Sequence, residues 1–305
     1  MRNLLTELTS SPLLLSESGI NEVELLVSRL ISSSRYAGDK SVKPTIVKLH
    51  PNMICSDCMD GGDDNGPFAG YEDGSVVILP IIGMMMKYSG IDWDEYRYVI
   101  GMDSIANLIR EADKATNIAG TVLLFNTPGG TTDSIYQLED AMRNRTKPSI
   151  GLIDGMCESG GAYVASFCDK TFATNRMCKW GSVGTFAQLI DQTKMLENVG
   201  IKIISVYPPE SSFKNLTYRK ALEGDQKPMI EESLTPFAIH FQNIIKEGRP
   251  KIDQSVEGIL EGREFYAYDA ITHKAIDGLM NLDQAIAEVQ TIANTNKQIY
   301  SQLKF

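Results

Sequence analysis

From Ser75 to Val206 the chain alternates short apolar runs with segments of helical spacing, and few folds accept that pattern. Ser75 to Pro80 reads as a short buried strand, and Ser104 to Ala115 as a helix with Ile105, Leu108, Ile109 and Ala112 on one face. Gly120 breaks the chain before a second strand, Thr121 to Phe125, and a helix is expected from Asp133 to about Arg145. Ser149 to Ile153 is the next strand, a helix follows Ser159, and Lys202 to Val206 is a later strand. Strands separated by helices of this length need crossover connections, so the fold class is α/β with a mostly parallel sheet covered on both faces. From Asp225 onward the chain reads as chiefly helical.

The first seventy residues differ. Val23 to Ile31 has helical apolar spacing, with Ser18 or Asn21 as its cap, and Cys55 to Gly70 is an Asp- and Gly-rich stretch that reads as a linker. The expected organisation is therefore a helical extension and linker over 1–70 and one α/β unit over 71–305. Cys55 and Cys58 are spaced as CxxC near His50, but a structural zinc site takes four ligands and no second pair exists, so no metal is expected. Cys157, Cys168 and Cys178 read as reduced thiols, which points to a cytoplasmic protein. The apolar run Val76 to Met86 is about half a membrane span, and the N-terminus lacks the apolar core of an export signal. With 29 Lys+Arg against 39 Asp+Glu and no block of like charges, nucleic acid is not an expected partner.

Two glycine-rich turns, Asn126 to Gly130 and Glu158 to Gly161, each follow a strand and precede a helix. A parallel sheet brings both to its carboxyl edge, where backbone N–H groups can stabilise an oxyanion. A phosphate loop is not indicated, since neither GxxxxGK[ST] nor GxGxxG occurs. Ser159 stands at the start of its helix, placed either to cap it or to act as a nucleophile. A nucleophilic hydroxyl needs a base. His50, His240 and His273 all lie away from strand ends, and several lysines remain open on chemical grounds.

The blocks Phe125 to Gly130, Cys157 to Ser166 and Gly181 to Gly184, with Gly262 to Tyr266 and Lys274 to Leu279, resemble the signal peptide peptidase A family of serine–lysine peptidases. The likeness is greatest to the phage-encoded branch, which has no membrane anchor and whose members process head proteins. It implies a Clp protease/crotonase-like spiral of β-β-α units with a helical N-terminal extension and a helical C-terminal part. It also implies Ser159 as nucleophile, Lys214 as general base, and Ser182 as the residue that orients the lysine amine. Gly129, Gly130 and Gly160 match the oxyanion donors. Lys220 and Lys227 lie near the expected position of the base. Glu158, where the family has a small residue, is expected to point to solvent, with contact to a basic substrate or perturbation of the lysine as the alternatives.

The expected function is thus a serine endopeptidase with a protein or peptide substrate, no cofactor, and a homo-oligomeric assembly with shared active sites. A cytoplasmic or prohead-associated location fits that function. Ala162, Val164, Val183 and Phe186 suggest a preference for small or apolar side chains beside the cut. A proteolytically silent assembly protein and an acyl-CoA enzyme of the crotonase superfamily are the alternatives.

Overall fold

A computed structural model describes residues 13–15, 67–68, 70–92, 97–99 and 101–303. The expected helix at Val23 to Ile31, His50, Cys55, Cys58 and nearly all of the Asp/Gly-rich linker lie outside the described residues.

A seven-stranded sheet organises the chain. Strand β1 (Leu13–Leu15) lies apart from it, and β2 (Ser75–Ile82) is its first member. A small hairpin of β3 (Gly90–Asp92) and β4 (Arg97–Val99) follows, then helix α1 (Met102–Lys114). Strand β5 (Ile118–Thr127) pairs in parallel with β2 and leads to the short β6 (Gly129–Thr131). A 3-10 turn over Thr132–Ser134 and helix α2 (Tyr136–Asn144) return the chain to β7 (Ser149–Glu158), parallel to β5. Only Ser159 separates the end of β7 from helix α3 (Gly160–Ala165).

On its far side β7 has two partners, which splits the sheet. Strand β8 (Lys170–Ala173) pairs with Ile150 to Ile153, and β9 (Lys179–Gly181) pairs with Met156 to Glu158. The end of β7 thereby gains its own neighbour, which fixes the residue that follows, Ser159. Strand β10 (Glu264–Tyr266) adds antiparallel to β9 and β11 (Gly278–Leu279) parallel to β8. The mostly parallel α/β reading therefore holds.

Both faces are covered, as the unbroken apolar strands require. Val77, Leu79 and Ile81 of β2 join the core under α1, α2 and α3. Val76 and Ile78, one residue out of phase, face the opposite cluster with Ala285, Val289 and Ala293 of the long C-terminal helix Leu282–Leu303. Each such aliphatic side chain contributes about 1.5–3 kcal/mol on burial. Among the described residues no helix is long and apolar enough to cross a membrane.

Two expectations fail. Gly120 does not break the chain but lies inside β5, where a Cβ would stand 2.3 Å from the Pro148 carbonyl oxygen. Close packing, not a turn, demands the glycine. Lys202 to Val206 is not a strand: Ile203, Ile204 and Val206 are 70, 74 and 85% exposed, and no described strand pairs with them. β-branched composition describes a surface that suits a sheet, and here no neighbouring strand supplies the ladder.

A buried arginine holds α3 in place. Arg249 follows helix α4 (Thr235–Gly248) and donates to the Ala165 carbonyl and the Thr171 hydroxyl, while pairing with Asp277 at 3.3 Å. Ala165 closes α3, and its carbonyl also accepts from the Cys168 N–H at 3.1 Å and the Thr171 hydroxyl at 3.2 Å, so the arginine joins a network at a short helix's end. Arg249→Met is expected to lower unfolding stability by about 1–2 kcal/mol through the lost charge-assisted bonds, since Ala165 still accepts from Cys168 and Thr171, and Asp277 from the Thr171 N–H. Denaturant titration of both proteins measures the difference.

Candidate functional site

The site is assembled where β5 and β7 end. Thr127 and Cys157 are opposed across the two strands, so the turns that follow stand side by side. A Cβ built on Gly160 would lie 3.6 Å from both the Gly129 Cα and the Gly130 nitrogen. The two glycine-rich turns expected at one sheet edge do meet there.

Ser159 occupies the helix N-cap position, yet its side chain makes no capping bond. Its backbone is at φ 50°, ψ −115°, a region that costs a non-glycine residue about 1–3 kcal/mol. It is fully buried, and among the described residues no group hydrogen-bonds its Oγ. A capping serine would sit in extended backbone with its hydroxyl accepting from the helix. Ser159 does neither. Its N–H donates to the Gly181 carbonyl at 2.8 Å, which ties the turn to β9.

Ser182 comes next to it through that same register, because Glu158 is opposed to Gly181. It too has a positive φ, 54°, and its N–H donates to the Arg263 carbonyl at 3.0 Å. The structure thus brings Ser159, Ser182, Gly129, Gly130 and Gly160 to one place.

Two residues that sequence reasoning missed shape the glycine turn. Thr127 is buried, donates its hydroxyl to the Gly83 carbonyl at 2.6 Å and accepts the Gly129 N–H at 3.1 Å. Met85 flanks β6: its N–H donates to the Gly129 carbonyl at 2.8 Å, and its carbonyl accepts from Thr131 at 3.2 Å. Backbone contacts of this kind leave no signal in an apolar Met-Met-Met run. They explain Gly130 fully, since a Cβ there would fall on the Met85 carbonyl oxygen. Gly130→Ala is therefore expected to displace β6 and to cost about 2–4 kcal/mol of stability through overpacking. Thermal unfolding of the variant checks it.

Lys214 is not part of this cluster in the single chain. It is exposed, lies between a 3-10 turn (Pro209–Ser211) and the helix Leu216–Leu222, and does not hydrogen-bond Ser159. Lys220 pairs with Glu223 at 3.2 Å and Lys227 with Glu231 at 3.7 Å, so neither is placed at Ser159. From Gly184 to His240 no residue is buried. The segment that carries the lysine has no core of its own.

The profile of Peptidase family S49 matches residues 141–296, half of the chain. The chain belongs to peptidase family S49. It is 23% identical over 223 residues to Protease 4 of Salmonella typhi, covering 72% of this chain and 35% of that protein. A putative signal peptide peptidase SppA of Enterococcus faecium is 23% identical over 58% of this chain and 51% of its own length. The head-tail preconnector protein GP5 of Enterobacteria phage P21 is 20% identical over 72% of this chain and 44% of its own. The chain spans about a third of the length of the Protease 4 relatives it matches. A mutant form of the 1510-N membrane-bound stomatin-specific protease superposes with a TM-score of 0.42 at 13% identity, covering 70% of this chain and 83% of that one.

Within this S49 chain two side-chain expectations need correction. Glu158 does not point to solvent: it is 1% exposed, because β9 covers the end of β7. Ala162, Val164 and Val183 do not line a cleft but are fully buried in the core beneath α3. Cys157, Cys168 and Cys178 are free, buried thiols. Burial pushes the Cys157 thiol well up, with Cys168 and the Glu158 carboxylate adding to the effect, and burial raises Cys168 to about 11. Neither is an activated thiolate.

Proposed function

We propose that this S49 chain is a serine endopeptidase that works through an acyl-enzyme on Ser159. The observation that carries the reading is Ser159 itself: strained at φ 50°, beside two glycine-rich turns, with a hydroxyl that caps nothing. Strain at a helix start is worth its cost where it aims a nucleophile. In this reading neutral Lys214 takes the Oγ proton as Oγ attacks the scissile carbonyl carbon. The Gly160 N–H holds the resulting oxyanion, the Gly129 N–H being engaged by the Thr127 hydroxyl, and the lysine returns the proton to the leaving amine. Ser182 accepts from or donates to the lysine amine and sets its direction.

Lys214 reaches Ser159 in an assembly, not in the lone chain. The segment from 184 to 240 exposes Ile190, Val199, Ile203, Val206 and Phe213, more apolar surface than a free arm tolerates. A second copy of the chain covers that surface and brings Lys214, next to the 82% exposed Phe213, over the serine of its neighbour. Covering the lysine also supplies the desolvation that frees its amine to act as a base. The substrate is a protein or peptide, and the likeness to a phage head-tail protein favours a head protein. Family membership favours this reading over the acyl-CoA one.

The test is degradation of an unfolded protein, such as reduced casein, by the assembled full chain, run beside binding of an acyl-CoA thioester. Casein cleavage without thioester binding is expected. An assembled protein that leaves casein intact overturns the reading.

A further inference from the structure

Strand β1 pairs antiparallel with β6, although more than a hundred residues separate them: Leu13 opposes Thr131, Leu14 opposes Gly130 and Leu15 opposes Gly129. Strand β6 is the element that carries the glycine turn of the site. Its Gly129 carbonyl and Thr131 N–H both turn to Met85, so the N–H and carbonyl of Gly130 face the other way, toward Leu14. They are the backbone pair an extended peptide would use to add itself to this edge.

The direction of β1 also suits a substrate. Running from Leu13 to Leu15, it approaches Gly129, and Gly129 lies against Gly160, next to Ser159. A peptide on this track delivers the carbonyl at its C-terminal end toward the serine, as the acyl half of a cut substrate must. Meanwhile Ser159, Gly129, Gly130 and Thr131 are all buried with β1 alongside. A site open to an external peptide would leave its nucleophile reachable.

We infer that Leu13–Leu15 is a tethered occupant of the acyl side of the cleft, where this chain's own N-terminal segment competes with extended apolar peptides for β6. The inference rests on the peptidase reading of Ser159 and adds the ligand of its neighbouring edge. The segment is covalently attached to the site it occupies, so a free peptide must displace it. Occupancy then lowers apparent affinity by the fraction of open sites.

The test uses the full chain with Ser159→Ala, so that binding is read apart from cleavage. Leu13→Cys with Thr131→Cys places thiols at a directly opposed pair, and the buried Thr131 hydroxyl, without a hydrogen-bond partner among the described residues, loses nothing by the change. Binding of a fluorescein-labelled peptide with the sequence of residues 9–18 is followed by anisotropy. Oxidation is expected to form the cross-link and abolish binding, and dithiothreitol to restore it. Leu14→Pro, which removes an N–H from the pairing, is expected to tighten binding at least about tenfold. No cross-link above the single-cysteine controls overturns the pairing. A cross-link that leaves binding unchanged, or a peptide that binds neither the reduced protein nor the proline variant, overturns the occupancy. Should binding behave as expected while the protein with Ser159 cleaves nothing, the peptidase reading falls and the docking stands.

Discussion

Ser159→Ala is expected to reduce casein cleavage by roughly 10^4- to 10^6-fold, since loss of the nucleophile leaves only binding and oxyanion stabilisation. The fold survives, because among the described residues no group hydrogen-bonds the Oγ. Ser159→Gly makes a sharper companion. At φ 50°, ψ −115° a glycine is at ease, so this variant is expected to be as inactive and yet about 1–2 kcal/mol more stable than the parent. Denaturant unfolding measures the gain. A more stable, inactive glycine variant would mean that the backbone strain at 159 serves chemistry. If Ser159→Gly lost stability, or if Ser159→Ala retained cleavage, the serine would have to be reassigned.

Lys214→Ala is expected to lose activity on the same scale, since a hydroxyl without its base is a poor nucleophile. Complementation gives the larger contrast. In an assembly where one copy supplies the lysine and its neighbour the serine, neither Ser159→Ala nor Lys214→Ala cleaves casein alone. Mixed after dissociation and reassembly, they form sites with an intact Ser159 from one copy and an intact Lys214 from the other. A substantial fraction of parental activity, well above both homogeneous variants, is the expected result. Mixtures as silent as their components would place the lysine in the serine's own chain. Parental activity in Lys214→Ala alone would pass the base role to another residue, with Lys220 and Lys227 the nearest in sequence.

The parts of the fold legible in the sequence were those governed by local pattern. Apolar runs at Ser75, Thr121 and Ser149 became strands because both their faces had helices to bury against, and the observed strands extend beyond them to Ile82, Thr127 and Glu158. The run at Lys202 had the same composition without a neighbour, and it stayed irregular. Gly120 read as a breaker because sequence shows what a glycine permits, not what presses against it; the Pro148 carbonyl does the pressing. Glu158 was expected in solvent for a similar reason. A charge is ordinarily exposed, and only the pairing of β9 with the last rungs of β7 encloses it.

The sequence by itself determined the α/β alternation, the two glycine turns at strand ends and the serine between them, because these follow from periodicity and from residue types that few sites need together. The tertiary structure decided what those residues do to one another. Parallel register set the turns side by side and strained Ser159, while the divided edge of β7 put Ser182 beside it. It also left Lys214 on an exposed arm and laid Leu13–Leu15 along the glycine strand. Local pattern carries none of this, because contacts between residues dozens of positions apart depend on which surfaces the rest of the chain has already covered.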